Sequence, residues 1–158
     1  MFELDKNHAA FIESGVSIIA ASRDPQNRPL QGRSPGCRVA PNRKAITMFL
    51  SRQKYPLLID AIRRSGVLAV SFSEPSSNRS LQLKSRAAEL VDLCEGDTES
   101  VVTHLDLFAA DLERIGHLGM LGRTALACGL GELVAVRFAP HEGFTQTPGP
   151  VAGNRIGA

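Results

Sequence analysis

Between residues 16 and 50 the chain alternates short β-branched and apolar runs with turn residues. VSIIAAS at residues 16 to 22 reads as a strand, and Asp24, Pro25, Gln26 and Asn27 turn it back into a second strand over Leu30 to Val39. Pro35 and Gly36 interrupt that second run, which predicts a bent or bulged edge strand. Pro41 and Asn42 lead into a third strand, where Ile46, Met48 and Leu50 alternate with Ala45, Thr47 and Phe49. Such spacing predicts an antiparallel meander.

Downstream the period changes. PLLIDAIRRSG places Leu58, Ala61 and Ile62 on one helical face, with Pro56 in the first turn, Arg63 and Arg64 in the last, and Gly66 to end it. Val67 to Phe72 is again strand-like. Glu74 to Asn78 is a polar turn, and Arg79 to Leu83 opens a strand that continues, bent, toward Leu93, unless its AAEL part is helical. Asp97 is placed to cap a longer helix with Val101, Leu105, Phe108, Leu112 and Ile115 along one stripe. The following glycine-rich stretch reads as irregular chain or a short weak helix, and Glu132 to Pro140 as a last strand, beyond which the Pro/Gly-rich end continues no regular element. Asp5 to Ser14 forms a short helix lying as a lid on the core. The expected fold class is mainly β: an antiparallel split β-barrel with peripheral helices, built as one domain over residues 1–158.

A net charge of +2 is too small to imply a nucleic-acid partner, and no apolar run is long enough to span a bilayer. The start MFELDKNHAAF is acidic where an export signal is basic, which makes the cytoplasm the expected compartment. Cys37, Cys94 and Cys128 are too widely spaced for a disulfide framework or a zinc site and read as reduced thiols.

No GxGxxG, phosphate-loop, HExxH or GxSxG pattern is present. The four histidines have no ligand-type partner at helical or hairpin spacing, so no metal site is expected. His104, one residue off the apolar stripe, is expected to face solvent, as are Asp106 and Asp111. Three segments retain chemical interest. Ser51, Arg52 and Lys54 fall between a strand and a helix start, where a phosphate finds charge-assisted donors and free backbone N–H groups, although solvated loop charges have the same pattern. Ser80, Gln82 and Lys84 share one strand face, turned either to solvent or to a ligand. QTPGPVAGNRIG, from Gln146 to Gly157, has the turn chemistry of a defined loop rather than a frayed tail.

The succession VSIIAASRD, ITMFLSRQK, VLAVSFSEPSSNRSLQLKSRAAE and FTQTPGPVAG resembles the pyridoxamine 5′-phosphate oxidase-like, FMN-binding split-barrel family, especially its uncharacterised flavin-nucleotide-binding members. The resemblance runs over roughly residues 15 to 95 and returns at the C-terminal loop. It implies FMN in a cleft between the subunits of a homodimer. The phosphate motif falls on Ser51, Arg52 and Lys54, with Arg38 at a basic position of the preceding hairpin. Arg79, Gln82 and, with a shift of register, Ser80 fall on the strand approaching the flavin, and Gln146 falls in the loop folded back over it. The chain is shorter than the oxidase and lacks its arginine- and histidine-bearing C-terminal segment, so vitamin B6 oxidation is not implied. The expected function is an FMN-dependent oxidoreductase acting on a small molecule or reductant, with no catalytic side chain to nominate. A non-catalytic flavin-, haem- or deazaflavin-binding module is the alternative.

Overall fold

The computed structural model describes residues 2–157. In chain order the elements are α1 (Lys6–Ile12), β1 (Ser17–Arg23), β2 (Pro29–Ser34), β3 (Cys37–Val39), β4 (Ile46–Ser51), α2 (Pro56–Ser65), β5 (Leu68–Ser73), β6 (Ser80–Ser85), β7 (Glu89–Val91), α3 (Asp97–Arg114), α4 (Gly119–Leu126), β8 (Leu133–Phe138), β9 (Glu142–Thr145) and β10 (Arg155–Ile156). A single 3-10 turn, Leu130–Glu132, precedes β8. The strands form two antiparallel sheets, one ordered β10-β9-β6-β5-β1-β2 and the other β3-β4-β8-β7. This is the expected mainly β architecture with peripheral helices.

The predicted second strand is broken into two, and the halves belong to different sheets. β2 ends the larger sheet and β3 ends the smaller, so both are edges, as Pro35 and Gly36 foretold. Ser34, at the break, is buried and donates to the Gly36 carbonyl at 2.7 Å while accepting from the Phe49 N–H at 3.3 Å, which stitches the two sheets where they part. The stretch from Arg79 to Leu93 divides in the same way into β6 and β7, on opposite sheets, and its AAEL part is extended rather than helical.

The inward faces of both sheets meet in one apolar core: Ile18 and Ala20, Val70 and Phe72, Leu81 and Leu83 from the larger sheet, with Ile46, Met48, Leu50, Val136 and Phe138 from the smaller. α2 closes one end of it. Its Leu58, Ile59 and Ile62 are buried, Pro56 begins it, and Gly66 ends it in the left-handed conformation with φ 65°, its N–H donating to the Ile62 carbonyl at 2.8 Å. The helix lies close to β2 because residue 32 is glycine; a Cβ there would stand 2.8 Å from the Tyr55 ring.

α3 covers part of the outer face of the smaller sheet, packing Val101 on Phe49, Leu133 and Ala135. Asp97 begins this helix but does not cap it: Gly96 is the N-cap, and the buried Asp97 carboxylate accepts the Cys94 N–H at 2.8 Å. His104 and Asp111, expected in solvent, are both buried. Both fall on the stripe flanking Val101 and Phe108, and α3 is sandwiched closely enough to bury more than its apolar residues. His104 Nε2–H donates to the Val16 carbonyl at 2.8 Å, and Asp111 Oδ2 accepts the Ser76 N–H at 3.1 Å. The glycine-rich stretch is helical in α4, packed against α3. The C-terminal end also departs from expectation, since β10 pairs with β9 and so extends the larger sheet. No helix of the described residues is long and apolar enough to cross a membrane.

Candidate functional site

Alternation along the larger sheet turns Ser17, Ile19 and Ala21 of β1 outward, with Ala69, Ser71 and Ser73 of β5, Ser80, Gln82 and Lys84 of β6, and Phe144 of β9. None of these residues is buried. Register aligns them in rows across the sheet: Ser17, Ser73 and Ser80, then Ile19, Ser71, Gln82 and Phe144. The face is made of small and uncharged side chains at its centre, with Arg33 opposite Ile19 at one margin and Arg155 opposite Phe144 at the other. Ser80 Oγ donates to Ser73 Oγ at 2.9 Å, and Gln82 Nε2 is 3.5 Å from Ser71 Oγ, so the Gln82 amide keeps most of its hydrogen-bonding capacity free.

Gln146 lies beside this face. Its N–H donates to the Ser80 carbonyl at 2.8 Å, and the Thr147 hydroxyl accepts the Ser80 N–H at 3.0 Å. The loop of residues 146 to 154 therefore folds back on β6, closed behind by the Gly153 N–H to the Thr145 carbonyl at 2.7 Å.

The second cluster is the turn from β4 to α2. Ser51 is buried, its Oγ accepting the Lys54 N–H at 3.2 Å, while Arg52 is held by its backbone N–H to the Glu132 carbonyl at 2.8 Å. The side chains of Arg52 and Lys54 are exposed and, among the described residues, no carboxylate lies within ion-pair distance of either. The helix that follows has Tyr55 as N-cap with no side-chain cap, leaving first-turn N–H groups without a side-chain acceptor. Hydroxyl, two cations and a helix start give this turn the makings of an anion site.

Arg38 and Arg79 stand apart from both clusters. Arg38, on the outer face of the smaller sheet, donates from Nε to Asp97 Oδ1 at 2.5 Å and from Nη2 to Cys94 Sγ at 3.6 Å. It is separated from Ser51 along β4 by Phe49, which α3 covers. The Arg79 guanidinium stacks over the Phe11 ring of α1, 4.2 Å from its centroid. Of the eight residues singled out, the structure thus groups Ser51, Arg52 and Lys54 on one turn and Ser80, Gln82 and Gln146 on the open face. Phe144, flanked by Lys84 at 4.9 Å and Arg155 at 5.7 Å, belongs to that face and was not foreseen; its place in the EGFT alternation was the available signal. Among the described residues no group of three or more His, Cys, Asp or Glu side chains is arranged to hold a metal.

No protein-family model and no curated protein matches this sequence. Solved structures do match the fold. HupZ from Group A Streptococcus superposes with a TM-score of 0.56 at 11% identity, over 95% of this chain and 100% of its own. A Clostridium acetobutylicum protein related to general stress protein 26 of B. subtilis, of the pyridoxinephosphate oxidase family, gives 0.55 at 10% identity, over 96% of this chain and 92% of its own. The fold is that of the pyridoxamine 5′-phosphate oxidase-like split barrels. An F420 reductase shares it, with a TM-score of 0.54 at 13% identity over 89% of this chain and 98% of its own. At such identities the likeness concerns the backbone plan alone.

Proposed function

We propose that this split barrel binds FMN in a cleft of a homodimer and acts, in the cytoplasm, as an oxidoreductase on a small molecule. The observation that carries the reading is the β4 to α2 turn, where Arg52 and Lys54 have no carboxylate within ion-pair distance among the described residues and lie beside Ser51 and a helix start. Such donors suit a phosphate dianion. The open face suits the rest of the cofactor: a surface of Ile19, Ser71, Ser73 and Ser80 accommodates a planar ring, and Gln82 offers an amide for its polar edge. Because the turn and the face belong to different sheets, we assign the phosphate to one protomer and the ring to the open face of its partner. The sharing also explains why so broad a sheet face is left half-exposed by the described residues. Once bound, the flavin itself supplies hydride and electron transfer, which leaves binding, orientation and exclusion of water to the chain. The loop from Gln146, anchored on Ser80, borders the ring and limits what reaches it.

Titration with FMN and with riboflavin, which lacks the phosphate, tests the reading. Replacing both Arg52 and Lys54 by Ala is expected to weaken FMN by roughly 100-fold while changing riboflavin by less than about three-fold. Equal losses for the two ligands would place the phosphate elsewhere. Absorption spectra of the purified protein provide the companion result: flavin bands support the proposal, whereas a Soret band assigns the cleft to haem.

A further inference from the structure

One end of the open face differs in character from its centre. The register sets Ala21 opposite Ala69, Ala69 opposite Lys84 and Lys84 opposite Glu142, forming one row across four strands. Two residues farther along the chain, Arg23 ends β1 and Arg86 follows β6, and together with this row they line a cavity of about 380 Å³. Two alanine methyl groups and three basic side chains are among its lining.

The cations are not neutralised from within. Glu142 is the one carboxylate in the lining, and it is already engaged, bound by Arg155 Nη2 at 2.5 Å with His141 Nε2 3.7 Å away. Lys84 directly opposes Glu142 in register, yet its ammonium lies over the Phe144 ring instead of pairing with the carboxylate. Among the described residues neither Arg23, Lys84 nor Arg86 has a carboxylate within ion-pair distance; Arg23 is hydrogen-bonded to the neutral Asn27 amide. Three like charges gathered in one cavity repel one another, and a dianion placed among them removes that repulsion while gaining charge-assisted hydrogen bonds.

We propose that this cavity is a binding site for a small phosphate monoester, its oxyanion between Lys84 and Arg86 and its apolar group resting on Ala21 and Ala69. The site is distinct from the Ser51 to Lys54 turn, which lies on the other sheet, and does not depend on the chain binding FMN. A single-charged carboxylate satisfies fewer of the cations and binds less tightly.

The test is amide NMR of the full 15N-labelled chain titrated with phenyl phosphate, both alone and in saturating FMN. Saturable shifts are expected at the amides of Ala21, Ala69 and Arg86, persisting in FMN, with benzoate roughly ten-fold weaker and phenol not saturating. K84Q/R86Q is expected to weaken phenyl phosphate at least about ten-fold while keeping the dispersed spectrum of the folded chain, and R86Q alone provides the same reading if the double variant is poorly folded. The proposal is overturned by absence of saturation at these amides up to about 10 mM, or by unchanged affinity in the folded variants. It is also overturned if inorganic phosphate binds as tightly as phenyl phosphate, which removes the apolar contact. Competitive displacement by FMN overturns it too, by making the cavity part of a flavin site. Failure of FMN to bind at all leaves these outcomes legible, because the first titration is made without it.

Discussion

Arg38 on β3 and Asp97 at the head of α3 are 59 residues apart in sequence and meet at 2.5 Å, tying the edge of the smaller sheet to the helix that covers it. The Asp97 side chain is 1% exposed and that of Arg38 35%, so the carboxylate depends on this partner and on the Cys94 N–H for the solvation it has lost. Asp97→Ala is expected to cost about 2 to 3 kcal/mol in urea denaturation, since it leaves a guanidinium and a backbone N–H without their acceptor. Arg38→Gln is expected to cost at least as much, because it strands the buried Asp97 carboxylate without its cation. It also leaves the preference for FMN over riboflavin unchanged, because Arg38 is committed to Asp97. A D97A protein as stable as the parent would reduce the pair to a surface contact.

His104 predicts a pH dependence. Burial pushes its pKa below the usual 6.5, with the bond to the Val16 carbonyl opposing in part. The unfolded chain therefore takes up a proton near pH 6.5 while the folded chain stays neutral to lower pH, so stability present above pH 6.5 is lost as pH falls through the folded value. The slope cannot exceed about 1.4 kcal/mol per pH unit for one such group. Asp5 and Asp24, whose pKa values are lowered from 3.8 by hydrogen bonds from nearby backbone N–H groups, act farther down. Thermal melts between pH 7 and 5 should show a decline that His104→Gln flattens, and an equal decline in the variant assigns the effect to other groups.

Two glycines with nearly the same backbone angle separate strain from collision. Gly15, at φ +83°, lies under α3, where a Cβ would strike the Leu107 side chain and stand 2.7 Å from the backbone of Leu107 and Phe108. Gly116, at φ +85°, has no neighbour within 4 Å of that position. Gly116→Ala is expected to lose roughly 1 kcal/mol from the left-handed conformation alone, and Gly15→Ala at least about 3 kcal/mol because α3 must also move. Thermal denaturation of the two variants measures the difference, and near-equal losses would mean that the helix yields freely.

The open face of the larger sheet predicts self-association. Ser71 stands at its centre, between Ile19 and Gln82, and is half-buried, with no helix or strand of the described residues across it. Ser71→Arg is expected to convert a dimer into a folded monomer at micromolar concentration by placing an unpaired charge in the interface. Light scattering of parent and variant decides it, and a parent chain that is monomeric at all concentrations refutes the shared cleft.

The elements legible from sequence are those whose causes are local. α2 follows from Pro56 at its start, Leu58 and Ile62 on one face and Gly66 at its end, and the strand face of Ser80, Gln82 and Lys84 follows from a two-residue period; both stand where expected. The resemblance of the segments to a split barrel agrees with the backbone plan. Pro35 and Gly36 marked a break in the second strand, but nothing local says that β2 and β3 go to different sheets, since that depends on which distant strands are available to pair. The same limit hid the burial of His104 and Asp111, polar residues buried because a glycine at 36 lets α3 approach closely and a turn at Ser76 comes to meet it. It hid, too, that Arg38 would be taken by Asp97, and that Lys84, Arg86 and Arg23 would gather around two alanines. Propensity, capping and side-chain alternation act over a few residues and are written in the sequence; pairing, burial and the meeting of charges act across the fold and were decided only by the packing of the two sheets and α3.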